Sequence, residues 1–404
     1  MEGKIIFTGT EKLEEGLYCV YSDHIYNYFD FFITEKQELT VGLDNSNRIG
    51  SLTTSDSSVN KTYFKVLAAL KADLARKSDI RSDSLQFLLA KSDFSDPAER
   101  LILKGVCNTG SIGEKYIAAC IPPAVYQRYF LSGTIKPYGD PVRSFLDHYF
   151  DNLDFSDYRL VNTPIITKRI DEFIDTITAM PGLRLQPEVD RLIILTSVNK
   201  KMQEFVTWHM LSRFGMYYFL PGYDAVYVHI ISDFLANGRI AWYYPEVRER
   251  ELGQAKKLEN LLAGKIGPDL EIPDSAGTFH ELYSIQAKYT LLLFWASTCS
   301  HCRDEMPAIS KFYLDFHKAY DLEIYGVSTD TSVSRWKSYI RRHQLPWINV
   351  YGRKNIRGSY HQLYNIQSTP SLFLLDEKKT ILAKYLKPEE FGKIILKRES
   401  EKQK

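Results

Sequence analysis

The stretch Phe294-Trp295-Ala296-Ser297-Thr298-Cys299-Ser300-His301-Cys302 sets two thiols two residues apart, directly after the apolar run Leu291-Leu292-Leu293. Residues 289–295 read as a buried strand, and 303–320 carry helical spacing with Ile309, Phe312, Tyr313 and Phe316 on the apolar side. Cys299 is therefore expected at a helix N-terminus. Unpaired backbone N–H groups and the positive end of the helix dipole favour a thiolate there. That placement makes a nucleophile at neutral pH. Two plainer readings compete with a redox pair: an inert pair of cysteines, and half of a zinc site. Zinc needs two more Cys or His ligands at comparable spacing, and neither His317 nor the distant cysteines supply them.

Working outward, a chain of 404 residues is too long for one ordinary core, so two or three domains are expected. The charge is nearly balanced, with 51 basic and 50 acidic residues, which gives no electrostatic case for nucleic acid or an anionic membrane as partner. The 27 tyrosines suit half-exposed packing positions in helical arrays better than a dedicated aromatic binding surface. No stretch reaches the ~18 apolar residues of a membrane span, and residues 1–12 lack the charged-then-apolar layout of a secretory signal. Residues 4–8 read as a strand at the very start, which is consistent with a segment upstream. Of the five cysteines, Cys19, Cys107 and Cys120 lie outside the motif, and a Cys107–Cys120 bridge is open in an oxidising compartment.

Residues 4–44 alternate like strands, with turns at Gly9-Thr10, Glu15-Gly16, Ser22-Asp23 and Asp44-Asn45. From about 59 to 264 the pattern becomes helical, with helices expected at 63–77, 142–150, 163–180, 198–214, 224–236 and 247–263. Thr163-Pro164 reads as an N-cap followed by proline at the first helical position, and Asn237-Gly238 as a helix stop. His148, His209, His229, Asp147, Asp151 and Asp154 lie in this region without the spacing of a metal motif, so structural roles are expected of them. From 266 onward strands and helices alternate: a hairpin at 269–282, the strand and helix around the thiols, then strands at 323–327, 348–351, 371–375 and 381–385. Helices at 332–343, 356–364 and 388–397 complete this part.

Trp295, the Cys299-x-x-Cys302 pair, and Ser368-Thr369-Pro370 about seventy residues later before a strand make the last ~140 residues resemble a thioredoxin fold. The pattern Cys299-x-x-Cys302-x-x-Glu305-x-Pro307, the preceding hairpin and the Lys265-Ile266-Gly267-Pro268-Asp269 opening resemble the TlpA/ResA branch, bacterial extracytoplasmic thiol–disulfide oxidoreductases. The upstream part is similar to modules that precede such domains in some bacterial envelope proteins, notably in the stretch from Asp147 to Asp157 and at Thr163-Pro164. The expected architecture is multidomain α+β: a partial antiparallel β module (1–52), an all-α helical domain (53–264) and a thioredoxin-like α/β domain (265–404). The resemblance implies a periplasmic or otherwise extracytoplasmic location, and a complete precursor with a signal sequence and earlier strands.

Within that frame Cys299 is expected to attack a substrate disulfide and Cys302, one turn inward, to resolve the mixed disulfide. In cytoplasmic thioredoxins an acidic residue lies two before the strand-end tryptophan; here Leu293 stands there, and Glu305, one turn beyond Cys302, is the replacement candidate for proton transfer. Read plainly, Glu305 complements the helix dipole. Ser300 and His301, between the thiols, are expected beside the substrate. A protonated His301 would favour the Cys299 thiolate and a more oxidising pair, against the reductase direction the resemblance implies. Thr369-Pro370 is expected to be a cis peptide facing the pair, with the Thr369 backbone meeting an extended substrate. Trp295 is expected beside the thiols as a substrate-binding residue, or as simple core. The Cys299–Cys302 pair is itself the redox group, so no separate cofactor and no metal is expected.

The leading function is thus thiol–disulfide exchange with protein thiols and disulfides, more as reductase than oxidant, served by an unidentified redox partner. Self-association through the upstream domains is expected. Two alternatives stand beside it. One is a thioredoxin-fold binding or structural module whose helical domain does the main work. The other is a thiol peroxidase, whose PxxxTxxC arrangement is missing because Leu292 and Ala296 occupy the proline and threonine positions.

Overall fold

The structure is a computed structural model. It describes residues 6–22, 27–43, 51–55, 59–75, 110–130, 140–180, 183–241 and 245–402, with positions 85, 88, 89 and 92 between. Two compact units divide the chain, Met1–His209 and Met210–Lys404, so residues 210–264 fall in the same unit as the thiol-bearing segment.

In the first unit, β1 (Gly16–Ser22) and β2 (Asn27–Ile33) form an antiparallel hairpin, and the short β3 (Val41–Gly42) and β4 (Thr53–Thr54) form another pair. No strand forms over residues 6–8, and Lys4, Ile5 and Cys107 lie outside the described residues. Helix α1 (Val59–Ala75) is fastened to β2 by Asn60, whose side chain accepts from Phe32 N (2.6 Å) and donates to Phe32 O (2.8 Å) as a neighbouring strand would. Phe32, Tyr63 and Tyr116 then meet edge to face, with ring centroids 5.2–6.4 Å apart. Helix α2 (Ile112–Cys120) starts on a capping box, Ser111 with Glu114, a signal present in the sequence; α3 (Pro123–Phe130) and α4 (Pro141–Asp147) follow.

The acidic stretch from Asp147 to Asp157 is a structural corner. Asn152 donates to Ala118 O and Ile121 O, buried Arg169 donates to Tyr149 O, and Lys115 pairs with Asp154 and Asp157. Helices α5 (Ile165–Ala179) and α6 (Leu185–Leu195) complete this part, and α7 (Lys200–Met216) spans the division between the units. Helix α5 begins one residue later than expected, yet Thr163 Oγ1 still accepts the Ile165 N–H at 3.3 Å.

The second unit opens with α8 (Tyr223–Ile230), which runs on as a π-helical turn (Ile231–Ala236) and stops at Asn237-Gly238, where Gly238 takes φ +76°. Helix α9 (Arg248–Glu259) leads to the hairpin of β5 (Glu271–Pro273) and β6 (Phe279–Glu281). A five-stranded sheet follows in the order β11-β10-β7-β8-β9, built from β7 (Tyr289–Trp295), β8 (Leu322–Ser328), β9 (Ile348–Tyr351), β10 (Ser371–Asp376) and β11 (Ile381–Lys384). Strands β7, β8 and β9 run parallel, whereas β10 runs antiparallel to both β7 and β11.

Strand β7 is buried throughout because helices or loops cover both sheet faces. Its odd-numbered residues, Tyr289, Leu291, Leu293 and Trp295, pack with Ile309 and Phe312 of α10 (Ser300–Tyr320) and with Phe391 and Ile395 of α13 (Pro388–Lys402). Its even-numbered residues Leu292 and Phe294 pack with Ile272 of the hairpin and with Tyr360 of α12 (Tyr360–Leu363). Helix α11 (Val333–His343) lies between β8 and β9 in the chain. The helix expected over 356–364 shrinks to α12. Gly358 at φ +118° and the Asn355 side chain, which donates to Gly358 O at 2.7 Å, turn the chain just before it.

Candidate active site

Parallel pairing of β7 with β8 and antiparallel pairing with β10 bring three chain ends to one edge of the sheet. Trp295 ends β7 opposite Ser328 of β8, and Ser371 begins β10 opposite Phe294. The segment Ala296 to Cys299 leaves this edge and becomes the start of α10. Three residues earlier than expected, the helix begins at Ser300 because the Cys299 sulfur acts as its cap: Sγ accepts the Cys302 N–H at 3.3 Å.

Cys299 Sγ also donates to the Thr369 carbonyl at 3.2 Å, across 70 residues of sequence. The Thr369–Pro370 peptide is cis, as expected, and both residues are half-buried. Burial pushes the Cys299 thiol up. Hydrogen bonds to the sulfur from the Cys302 backbone, the Thr369 side chain, the Cys302 thiol and the His301 backbone outweigh it, so the pKa lies below the ordinary 9.0. Cys302 is 1% exposed; burial, together with its hydrogen bond to Cys299, pushes it up to about 12. Two thiols of one motif are thereby separated into a reactive outer one and a protonated inner one. Both are free thiols.

Ser300 and His301 are exposed on the first turn, beside the outer sulfur. Glu305 is half-buried and makes no hydrogen bond or ion pair among the described residues. Trp295 is fully buried, in the same core cluster as Cys302, with its ring 5.2 Å from that of Tyr339. Its contacts are with the interior, so it backs the site rather than presenting a surface to a substrate.

Sequence reasoning missed Asp330. This buried carboxylate, just past the end of β8, accepts from Ser297 N (3.0 Å), Ser297 Oγ (2.8 Å) and Ser328 Oγ (2.9 Å). Thr329 N donates to Trp295 O at 2.7 Å, and Arg303 donates to the carbonyls of Ser297 and Thr298 at 3.3 and 3.2 Å. The loop leading into Cys299 is thus held from both sides. A polar Ser-Thr-Asp run at the C-terminal end of a parallel strand was the available signal, because sites of open α/β sheets collect at those ends.

Residues 286–381 match the Thioredoxin-like family. Among characterised relatives, the Thioredoxin-like protein YneN of Bacillus subtilis is 28% identical over 128 residues, 31% of this chain and 73% of that protein. The thiol-disulfide oxidoreductase ResA of Bacillus cereus is 25% identical over 129 residues, 32% of this chain and 72% of that protein. A solved structure of a thioredoxin-like protein from Bacteroides caccae superposes with a TM-score of 0.53 at 19% identity. It covers 65% of this chain and 96% of its own, a likeness of fold that extends beyond the thioredoxin-like region.

Proposed function

Because this chain is a TlpA/ResA-like thioredoxin-fold protein and an oxidoreductase, we propose that its Cys299–Cys302 pair exchanges electrons with protein disulfides, in the direction of their reduction. One observation carries this reading. The Cys299 sulfur lies at once on a helix N-terminal N–H and on the Thr369 carbonyl, with the protonated Cys302 buried one turn behind it.

In the reductive half-cycle the Cys299 thiolate attacks one sulfur of the substrate disulfide, forming a mixed disulfide and expelling the other sulfur as thiolate. Cys302 then loses its proton and attacks Cys299 Sγ. That step closes the enzyme disulfide and releases the second substrate thiolate, so two electrons pass to the substrate. A dithiol donor returns them through the same exchange. Glu305, one turn beyond Cys302 and unpaired, is assigned to take the Cys302 proton, since a thiol held near pKa 12 does not ionise unaided at neutral pH. Ser300, His301, Thr369 and Pro370 border the outer sulfur and form the substrate-facing rim, while Trp295 positions the loop from below. The redox group is the cysteine pair itself.

The protein acts outside the cytoplasm, on the strength of the motif's likeness to the extracytoplasmic branch; no helix among the described residues is long and apolar enough to cross a membrane. The thioredoxin-like domain is taken as 265–404, and the helical (53–264) and β (1–52) modules upstream serve partner choice or self-association. Deleting residues 1–209, the first compact unit, without effect on oligomeric state or substrate preference overturns that assignment.

The test is reduction of insulin disulfides by wild type against Cys299→Ala, with the reduction potential of the pair measured in dithiothreitol and glutathione buffers. Loss of activity in the variant and a potential near thioredoxin's, about −270 mV, support a reductase. A potential nearer about −120 mV makes the protein an oxidant, with His301 as the residue responsible.

A further inference from the structure

The loop before Cys299 forms one wall of an open cavity of about 420 Å³ whose lining includes Thr298, Arg303, Arg335, Ser338, Tyr339 and Arg342. Arg335, Ser338, Tyr339 and Arg342 are spaced three, four and seven residues apart on α11, which puts them on one helix face. Arg303 comes from α10, one turn past the nucleophile. Its guanidinium already donates to the carbonyls of Ser297 and Thr298, so it fixes the loop and keeps further N–H groups for an occupant.

The guanidiniums of Arg335 and Arg342 are different. Both are exposed, and neither makes a hydrogen bond or ion pair among the described residues. By contrast, Arg357 faces Asp269, Glu271 and Glu281, and Arg159 faces Asp157 and Glu15. No carboxylate lines this cavity. Three guanidiniums around one hollow, with no counter-charge in its lining among the described residues, supply the N–H donors with which arginine forks grip carboxylates.

We propose that this hollow receives aspartate or glutamate side chains flanking the disulfide of a protein substrate. The inference deepens the thiol–disulfide reading and rests on it. The position of the hollow selects this occupant. Its wall includes Ser297 and Thr298, the two residues before the nucleophile, so whatever fills it lies close to the sulfur under attack, and a chain segment carrying that sulfur reaches both places at once. Arg335 and Arg342 act as substrate-selecting residues in this scheme, away from the bond that breaks.

The experiment uses the full chain, reduced, mixed with two synthetic peptides that each contain one intramolecular disulfide. One peptide has Asp and Glu on both flanks; the other has Asn and Gln at the same places. Single-turnover reduction is followed by chromatography. The expected result is faster reduction of the acidic peptide, by about threefold to tenfold at low salt, since two or three exposed ion pairs are each worth a small factor. Raising the salt concentration shrinks that ratio. The double variant Arg335→Gln with Arg342→Gln brings it near one, and Arg335→Glu with Arg342→Glu inverts it. Equal rates for the two peptides with wild type overturn the assignment and leave the thiol–disulfide reading standing, as does a ratio that persists in the Gln double variant. Reduction of neither peptide overturns the reading itself and the substrate selection with it.

Discussion

The Asp330 carboxylate holds Ser297 at two points, its N–H at 3.0 Å and its hydroxyl at 2.8 Å, and so ties the end of β8 to the loop that leads into Cys299. A third donor, Ser328 Oγ at 2.9 Å, satisfies the same buried carboxylate. Replacing Asp330 by Ala leaves these donors without their acceptor in a dry environment. A loss of about 2–4 kcal/mol is expected, read as a lowered urea midpoint by tryptophan fluorescence. Asp330→Asn, which keeps an acceptor oxygen, should lose less. A midpoint unchanged in Asp330→Ala would mean that this tie does not support the loop.

Depression of the Cys299 pKa and elevation of the Cys302 pKa imply opposite reactivities in the reduced protein. A lowered pKa means more thiolate at a given pH, so iodoacetamide at pH 7 should modify Cys299 much faster than Cys302. The rate at Cys299 should rise with pH with its midpoint below 9.0, the ordinary thiol value. Linkage carries the same sign. The depressed Cys299 pKa stabilises the reduced fold above the unfolded-state value, and that contribution fades as pH falls through the folded-state value. Equal labelling of the two cysteines by mass spectrometry would contradict the arrangement.

Removing the resolving thiol should trap the first step. In Cys302→Ala the mixed disulfide between Cys299 and substrate has no internal escape, so it should accumulate as a covalent adduct visible on a non-reducing gel and lost on adding dithiothreitol. Cys299→Ala should give no such adduct. An adduct formed through Cys302 in the Cys299→Ala protein would reverse the assigned roles.

Within the second unit, Lys384 at the end of β11 meets Asp224 of α8 at 2.6 Å, with both side chains 7% exposed, and Lys384 Nζ also donates to Leu261 O at 2.7 Å. The pair fastens residues 210–264 to the sheet. Burial pulls the Lys384 pKa below its usual value, against the pull of Asp224. Breaking the pair from one side, by Asp224→Asn or Lys384→Met, should cost about 3–5 kcal/mol because a charge or polar group is left buried. Asp224→Leu with Lys384→Met should recover most of it in a double-mutant cycle. Additive losses in that cycle would show that the two charges do not act together.

Much of the site was legible because its signals are local. Strand β7 was expected over its observed residues, and the helix after it differed only in its start. That start moved to Ser300 because a sulfur can cap a helix, which apolar spacing does not reveal. The Thr369–Pro370 peptide was reached through resemblance, since no property of those two residues alone points at Cys299. Asp330 and the arginine face of α11 went unread for a shared reason: each is an ordinary polar residue in its own segment and becomes part of the site only through neighbours far along the chain. The 356–364 segment was misread as one helix, because the Asn355–Gly358 turn outweighs its helical spacing.

What the sequence determined by itself is the order strand, cysteine pair, helix, because a short continuous apolar run, the Cys-x-x-Cys spacing and period-3.6 burial each arise within a few residues. The tertiary structure decided how deep each thiol lies and what touches it. The depth of Cys302, the approach of Thr369 and the grip of Asp330 all follow from placing β7 between β8 and β10, a pairing fixed by long-range burial of both sheet faces and not by any short stretch of chain.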